Sequence, residues 1–431
     1  MTTRWTVILT VVIALSADLY AQEAGGYLER FLPSDGNNIY QEKGLLRTWP
    51  KEGPAELWRI HIGYGKCAIV ESHGRIYTAT EQEKKQYAVC LDALTGKTIW
   101  QKLLLPKGNS HVVKGPVNSP LLDGDYVYLF PYDCLNGDLW EPRCPCFCLR
   151  AADGSEVWKE DKAFNVSEGS TALIVGDVLY VGGGGRDCAL AAVDKLTGKL
   201  RWKVEEDRDT GSKHVFGTGA SLVQQVVEGI PQIIVSVYKN DLVGVHAGSG
   251  KIMWHWPITN STASGMVPTP VVVGQKVFIS ASQMGVAYSM CFEMAAHDGT
   301  IVPKLLYEDK RLQCNAYHTP SIIEGAVFGF GRGQEHDAMQ CTSLSDGKLL
   351  WQEETPDWNR ERQLTIADGL IFAITRKDDV VLLEASRTGY KELGRFNPGI
   401  KLGIPQQPMI VGGRLFIRGD DTLVCYQIAG Q

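Results

Sequence analysis

Short runs of alternating hydrophobic and polar residues follow one another along most of the chain, separated by turns that contain Gly, Asp or Asn. Alternation with a period of about two residues is typical of half-buried β-strands, and such turns are typical of hairpins. The stretch Leu91–Trp100 (LDALTGKTIW) has an apolar start, a polar turn and a closing Trp. The pattern recurs at Val193–Trp202, Val245–Trp254 and Thr342–Trp351, with a looser copy at Leu149–Trp158. Such self-similarity predicts a repeat fold.

One complete repeat occupies residues 66–105 and contains four candidate strands. They are Cys67–Val70, Arg75–Ala79, Tyr87–Asp92 and Thr98–Leu104. Four antiparallel strands in about 40 residues are typical of one blade of a β-propeller. Further blades are predicted at 118–161, 169–206, 219–258, 267–308, 317–354 and 363–396, and Pro303 and Leu393 replace the Trp in two of them.

The two ends of the repeat region complement each other. Residues 408–428 contain three candidate strands without a fourth, whereas Pro54–Gly63, with its Trp58, matches a fourth strand that no others precede. Pairing them would complete a blade and leave no open sheet edge at the seam. The sequence therefore predicts an all-β, eight-bladed propeller in residues 54–431, preceded by an extended tail at 22–53. Deletion of Pro54–Gly63 is expected to cost more stability than deletion of the tail.

The Trp residues that close the repeats are interpreted as structural. On an outer strand each can pack against the neighbouring blade, and burial of roughly 150–250 Å² of indole at about 25 cal/mol per Å² stabilises by several kcal/mol. This interpretation covers Trp58, Trp100, Trp158, Trp202, Trp254 and Trp351. Any function is therefore expected in the loops between the repeats.

Composition and charge exclude several classes of protein. Hydrophobic residues make up 44% of the 431 residues, enough for a large core, and the 9% of aromatic residues argue against disorder. The formal net charge of −6 argues against a nucleic-acid partner, which would need a basic surface. The 46 glycines supply the turns that a β-rich repeat fold requires.

The first residues are typical of a targeting segment. Arg4 is followed by the apolar run Trp5–Ala17, and Leu19–Ala21 matches a cleavage site before Gln22. A signal peptide at residues 1–21 predicts export to the periplasm or secretion. The alternative is an uncleaved N-terminal anchor. Later apolar runs are too short for a transmembrane segment in the mature chain.

The chain contains eleven cysteines, and four of them lie close together: Cys134, Cys144, Cys146 and Cys148. In an exported protein, a disulfide between Cys134 and Cys144 would close the insertion in the second blade. Two alternatives stay open, namely buried free thiols and a thiolate metal site completed by Cys134 or His111. We favour the disulfide and predict no metal site.

The repeat resembles a known family. The pattern D-x-x-T-G-K-x-x-W at Asp92–Trp100 and Asp194–Trp202 is similar to the repeat of pyrroloquinoline-quinone-type (PQQ-like) propellers. The resemblance covers nearly all of residues 54–431 and implies an eight-bladed propeller. The run Gly44–Ala79 also resembles exported bacterial quinone-repeat proteins, most of which have no assigned function.

Two functional branches share this repeat. The quinoprotein alcohol dehydrogenases carry adjacent cysteines, a Ca²⁺ site of Glu, Asn and Asp, and a catalytic Asp; this sequence has no adjacent Cys pair and no C-x-x-C-H haem motif. No catalytic residue can be assigned by this resemblance. The other branch is the scaffold propeller of the outer-membrane β-barrel assembly machinery, a lipoprotein, whereas no Cys stands at the cleavage position here.

The connections between blades are rich in basic and amide residues although the whole chain is acidic. At one end of the ring they could form a polar funnel that binds an anionic ligand, a quinone, a sugar or a peptide. The alternative is a solvated loop surface without a ligand. The candidate funnel residues are Lys114, Lys213, His214, His318, Arg360, Arg362 and Lys401.

These observations predict an exported propeller that binds an envelope protein, peptide or glycan and has no cofactor. The alternative is a dehydrogenase-like quinoprotein with a degenerate site for PQQ and Ca²⁺. A hydrolase or lyase that uses the funnel is a third hypothesis, because propellers support many chemistries.

Overall fold

The computed structural model describes residues 27–107, 115–131, 144–164, 166, 171–182, 188–205, 220–236, 241–258, 268–283, 286–403 and 407–430. Within these ranges the chain forms strands, turns and loops and no helix. The strands pair into eight separate sheets, seven with four strands and one with five. The predicted all-β, eight-bladed propeller is therefore confirmed.

The strands follow the chain in blade order. The N-terminal segment contributes β1 (Ile39–Tyr40) and β2 (Glu56–His61). Blades one and two contain β3 (Val70–Ser72), β4 (Arg75–Gln82), β5 (Lys85–Asp92), β6 (Thr98–Leu105), β7 (Leu121–Asp123), β8 (Tyr126–Leu129), β9 (Cys146–Arg150) and β10 (Glu156–Glu160). Blades three and four contain β11 (Leu173–Val175), β12 (Val178–Gly182), β13 (Leu190–Asp194), β14 (Leu200–Val204), β15 (Val223–Val227), β16 (Ile230–Ser236), β17 (Leu242–His246) and β18 (Ile252–Trp256).

The second half of the ring repeats this order. Blades five and six contain β19 (Val271–Val273), β20 (Lys276–Gln283), β21 (Val286–His297), β22 (Thr300–Asp309), β23 (Ser321–Ile323), β24 (Ala326–Arg332), β25 (Asp337–Ser343) and β26 (Leu349–Glu354). Blades seven and eight contain β27 (Leu364–Ala367), β28 (Leu370–Ile374), β29 (Val380–Glu384), β30 (Glu392–Phe396), β31 (Met409–Val411), β32 (Arg414–Arg418) and β33 (Thr422–Gln427).

The ring closes through the pairing that the sequence predicts. Strand β2 pairs antiparallel with β33 and becomes the outer strand of blade eight, with Trp58 opposite Cys425. The first strands of successive blades lie close together, so they surround the central channel. The seam thus leaves no open sheet edge, which removes a site of aggregation.

The strands of a blade are antiparallel, so their connections alternate between the two ends of the ring. We call one end of the ring the connection face. It carries the inter-blade connections, including residues 310–320, 355–363 and 397–403. The turns between second and third strands lie on it as well. The opposite end, which carries turns such as His73–Gly74, is called the turn face.

One row of side chains repeats through the blades. In blade one, Tyr77 of the second strand lies beside Cys90 of the third, and Cys90 lies beside Trp100 of the fourth. Other blades repeat this order with Tyr128, Cys148 and Trp158; Tyr180, Ala192 and Trp202; Ile234, Gly244 and Trp254; Phe328, Cys341 and Trp351; and Phe416, Cys425 and Trp58. A Cys in this row is a small buried residue that leaves room for the indole.

Several of these Trp residues contact the next blade. The indole of Trp58 lies against Gly96, and its Nε1 donates to the Ala93 carbonyl at 3.0 Å. A Cβ on Gly96 would lie 2.8 Å from the indole, and its φ of +68° also favours Gly. Trp100, Trp158 and Trp202 make the same contact with Gly154, Gly198 and Gly250. Trp254 instead donates to Gln232 Oε1 of its own blade at 2.7 Å.

In blade five the Trp position is occupied by Tyr307 and not by Pro303, which the sequence indicated. Pro303 lies opposite Met294, whereas Tyr307 lies opposite Cys291 and so occupies the Trp position of the row. The ring of Tyr307 packs against Gly347 of blade six, and a Cβ added to Gly347 would lie 2.7 Å from this ring. The shift arises because β21 and β22 are joined by a tight turn and extend further than the other hairpins.

Blade seven takes its aromatic side chain from the N-terminal segment. Gly394, and not Leu393 as the sequence indicated, occupies the Trp position, opposite Leu382; the register shift in this hairpin moves the position by one residue. Trp49 lies beside Gly394 and packs on Phe372, at 5.8 Å between ring centroids, and on Phe396, at 5.3 Å. The tail therefore completes the core of this blade.

The same N-terminal segment lines the central channel and follows the ring from blade one to blade eight. Backbone N–H groups at equivalent positions of six first strands donate to it: Glu71 to Leu28 O, Leu122 to Glu29 O, Gln224 to Ser34 O, Val272 to Asp35 O, Ile322 to Asn37 Oδ1 and Ile366 to Asn38 O, at 2.8–3.2 Å. Strand β1 pairs with β27 in parallel, and Leu45 forms a bridge to Ala429 of blade eight. The predicted extended tail is thus an integral part of the fold.

Candidate functional site

Three funnel candidates, Arg360, Arg362 and Lys401, lie on the connection face over blades six to eight, whereas a fourth, His318, is buried and does not line a funnel. Arg360 and Arg362 lie on the connection between blades six and seven, and Lys401 lies on the next connection. Lys114, Lys213 and His214 lie outside the described residues, so their place in a funnel stays a prediction.

His318 lies in the interior below this surface. Its side chain is completely buried, and its ring centroid is 5.6 Å from that of Phe330. The backbone N–H of Leu364 donates to its Nδ1 at 3.4 Å. Burial lowers the pKa of His318 to about 3, so the imidazole is neutral at pH 7.

Both funnel arginines that the structure describes are held by the protein itself. The Nε of Arg360 lies 2.7 Å from Asp337 Oδ1, and its guanidinium also donates to Ser282 Oγ. Arg362 pairs with Asp378 at 3.0 Å and donates to the Gly403 and Arg376 carbonyls at 3.1 and 3.0 Å. These bonds order the connection face and fix the loops that carry them.

Two open cavities interrupt the connection face. The seam cavity, of about 470 Å³, is lined by Arg59, His61, Tyr64, Gly399, Ile400, Lys401, Asp420, Asp421 and Thr422. The arginine cavity, of about 590 Å³, is lined by Arg332, Gly333, Gln334, Glu335, His336, Asp337, Pro356, Trp358, Arg360 and Arg376. Both fall within the usual volume range of ligand sites, about 300–1,000 Å³.

A buried ion pair and several hydrogen bonds cross the seam between the last blade and the first. Arg414 of blade eight pairs with Glu71 of blade one at 2.6 Å, with side chains 4% and 0% exposed. Arg418 donates to Thr78 Oγ1 at 2.6 Å and to the Cys67 and Ala79 carbonyls at 3.0 Å. These contacts join the last blade to the first, in addition to β2, and their role is structural.

The turn face carries a third cavity, of about 730 Å³, between the N-terminal segment and blades two to four. Arg30 lies at its inner wall and is 6% exposed. Its guanidinium donates to the carbonyls of Ala172, Pro33, Thr171 and Leu222 at 2.5–3.1 Å. Burial lowers the pKa of Arg30 to about 9, and these carbonyls stabilise its charge. The N-terminal segment, held by these hydrogen bonds of Arg30, therefore occupies the channel at the turn face.

Three of the four clustered cysteines lie within the described residues, and all three are buried. Cys146 and Cys148 lie on β9 and are completely buried, and burial raises the pKa of the Cys148 thiol to about 12. Cys144 is also buried, whereas Cys134 lies outside the described residues, so the disulfide stays a prediction. No group of three His, Cys, Asp or Glu side chains among the described residues could hold a metal ion.

Sequence reasoning missed several residues of these sites. Arg332 is the last residue of β24, and Arg376 lies in the turn between β28 and β29. Both therefore lie where second and third strands are joined, at the end of the ring that also carries the inter-blade loops. The funnel prediction rests on the inter-blade loops alone and so leaves out the joins between second and third strands. The alternation of strand direction within a blade would have indicated the other set.

The fold and this loop-built face define the class of the protein as a PQQ-like β-propeller. The chain belongs to the family described as outer membrane protein assembly factor BamB, whose sequence model matches residues 42–214 and 145–329. No membrane-spanning helix occurs in the part of the chain that the structure describes.

Solved structures share the fold at low sequence identity. BamB from Moraxella catarrhalis is 13% identical, with a TM-score of 0.58 over 87% of this chain and 98% of that one. Quinohemoprotein alcohol dehydrogenase from Comamonas testosteroni is 12% identical, with a TM-score of 0.66 over 97% of this chain and 83% of that one. Curated proteins gave no match. These similarities establish architecture and leave the activity to the site itself.

Proposed function

We propose that the protein is an exported, non-catalytic propeller that holds an envelope protein, peptide or glycan on its connection face. The observation that carries this proposal is the asymmetry of the two ends of the ring. The connection face presents two open cavities among loops that ion pairs hold. The cavity on the turn face is instead lined in large part by the chain's own N-terminal segment, which lines the channel toward that end. Loops fixed on a rigid scaffold are suited to binding.

Membership of the BamB family supports a protein partner in the envelope. The region before residue 27, which contains the proposed signal peptide, lies outside the described residues. Export to the periplasm, or secretion, is part of the proposal because of the Arg4 and Trp5–Ala17 pattern.

Two exposed lysines provide a matched test of the binding face. Lys401 lies on the connection face, and Lys97 lies in a turn on the opposite face. We expect Lys401→Glu to reduce retention of envelope proteins on the immobilised chain at least tenfold and Lys97→Glu to leave it unchanged. Equal retention by both variants and the wild type would contradict a connection-face site.

The alternative is a dehydrogenase-like quinoprotein, which the similarity in fold to the Comamonas enzyme favours. The residues present do not fit that cofactor set, because the sequence has no adjacent Cys pair and the described residues offer no three-ligand cluster for Ca²⁺. The discriminating experiment is incubation with PQQ and Ca²⁺, followed by dye-linked oxidation of alcohols and sugars. Turnover together with the absorbance of bound quinone would overturn the non-catalytic proposal.

A further inference from the structure

The arginine cavity contains more cationic groups than its own carboxylates neutralise. Three guanidinium groups line it, those of Arg332, Arg360 and Arg376, together with the carboxylates of Glu335 and Asp337. Asp337 is already used, because it accepts from the Arg360 Nε at 2.7 Å and from the Arg360 backbone N–H at 3.0 Å.

Carboxylates around the cavity are committed to other partners. Asp357 pairs with Lys377 at 3.0 Å and Arg395 at 3.2 Å, and Asp378 pairs with Arg362 at 3.0 Å. Arg332 faces Asp337 across the hairpin of β24 and β25, yet Asp337 bonds to Arg360. The guanidinium groups of Arg332 and Arg376 therefore make no hydrogen bond or ion pair with any described residue.

The walls of the cavity are fixed. The Glu354 carboxylate accepts the backbone N–H groups of Gln334, Glu335 and His336 at 2.5–2.7 Å, which holds the loop that follows Arg332. Trp358 is 1% exposed and packs on Phe330 at 5.7 Å and Tyr390 at 6.4 Å between ring centroids. A site whose loop and wall are held in this way loses little entropy when a ligand binds.

The charge balance indicates which anion fits. The three arginines and two carboxylates leave a net charge of about +1, which suits a singly charged carboxylate better than a dianionic phosphate. Arginine's planar fork matches a carboxylate with two parallel hydrogen bonds. From these observations we propose that Arg332 and Arg376 together bind one carboxylate side chain of an acidic peptide segment, whose other carboxylates remain outside the cavity. This inference rests on the proposed function, because it names the chemistry of the partner.

The test uses a fluorescein-labelled hexaglutamate peptide and the full chain, with fluorescence anisotropy as the readout. We expect saturable binding, which the double variant Arg332→Gln/Arg376→Gln weakens at least tenfold. The matched control is Arg387→Gln, which removes a cation from the opposite end of blade seven. It should leave the affinity within twofold of the wild type, and thermal unfolding should be the same for all three proteins.

Competitors distinguish the sources of the anion. A hexaglutamine peptide should not compete, whereas unlabelled hexaglutamate should; free glutamate should compete only at much higher concentration than the peptide. Stronger competition by inorganic phosphate than by hexaglutamate would overturn the peptide assignment. Equal weakening by Arg387→Gln would show general charge attraction and would also overturn it.

Retention of envelope proteins, measured in parallel, separates this inference from the proposed function. Loss of both hexaglutamate binding and partner retention in the double variant supports the inference. If the Lys401→Glu variant loses the partner while the double variant keeps it, the connection-face function stands and the acidic-peptide inference fails.

Discussion

Replacement of Trp49 tests whether the N-terminal segment completes blade seven. Its side chain is 9% exposed and lies on Phe372 and Phe396. Truncation of a buried Trp to Ala costs about 3–5 kcal/mol in proteins. The Nε1 of Trp49 is buried and makes no hydrogen bond to the described residues, and such an unmet donor costs about 1–3 kcal/mol. Because the truncation removes the packing and also the unmet donor, we expect a net loss of about 2 kcal/mol for Trp49→Ala, the difference between the centres of the two ranges.

The phenylalanine variant separates the two contributions. Trp49→Phe keeps an aromatic ring in the cluster and removes the unmet N–H group, so we expect a loss below about 1 kcal/mol. The measurement is urea unfolding followed by far-ultraviolet circular dichroism, with the free energy of unfolding taken from the midpoint and slope. Tyr27→Ala is the control, because Tyr27 belongs to the same segment and is 55% exposed.

Two results would refute this account of blade seven. A loss for Trp49→Ala no larger than that for Tyr27→Ala would mean that the tail does not contribute to the core. A loss for Trp49→Phe equal to that for Trp49→Ala would mean that the indole N–H is bonded, contrary to the structure.

Three further predictions follow from the same contacts. The sequence alone predicts that deletion of Pro54–Gly63 costs more stability than deletion of the tail, but the contacts of the tail change this expectation. Deletion of residues 27–41 should lower the unfolding midpoint about as much, because it exposes the inner edges of six first strands. A lack of effect of that deletion on thermal unfolding would contradict a structural role of the tail. Tyr307→Ala should lower the free energy of unfolding by about 2–4 kcal/mol and Pro303→Ala by less than about 1 kcal/mol, measured by urea unfolding, because Tyr307 takes the place of the Trp. A larger loss for Pro303→Ala than for Tyr307→Ala would mean that Pro303 occupies the Trp position. The pKa of His318 is about 3 in the folded chain, against 6.5 for an ordinary histidine. Between these pH values the unfolded chain binds a proton that the folded chain does not, so the free energy of unfolding should fall as pH drops from 6.5 toward 3. The His318→Leu variant should show a flatter dependence on pH, and an unchanged dependence would contradict the burial of a neutral imidazole.

Much of the architecture could be predicted because each blade carries its own local signals. The alternation of apolar residues and the Gly turns predict the strands of blade one, and the repeat of Leu91–Trp100 predicts how many times the unit recurs. The split between Pro54–Gly63 and residues 408–428 predicts the closure, which the pairing of β2 with β33 confirms.

The candidate sites were less predictable, since they depend on residues that lie far apart in the sequence. His318 stands among polar loop residues, yet the structure buries it beside Phe330. Whether a loop side chain faces solvent depends on the blade that packs above it, which no local pattern records. Arg332 and Arg376 meet at one cavity only because the ring brings adjacent turns together.

The sequence by itself determined the class of fold, the number of blades and the place of the seam, because hydrophobic period and turn chemistry act over a few neighbouring residues. Only the tertiary structure decided that Tyr307 and Trp49 fill the positions of missing tryptophans, and that residues 28–40 line the channel. The physical reason is that buried volume and backbone hydrogen bonds must be satisfied over the whole ring. Any segment that reaches a gap can supply the missing group, wherever it lies in the chain.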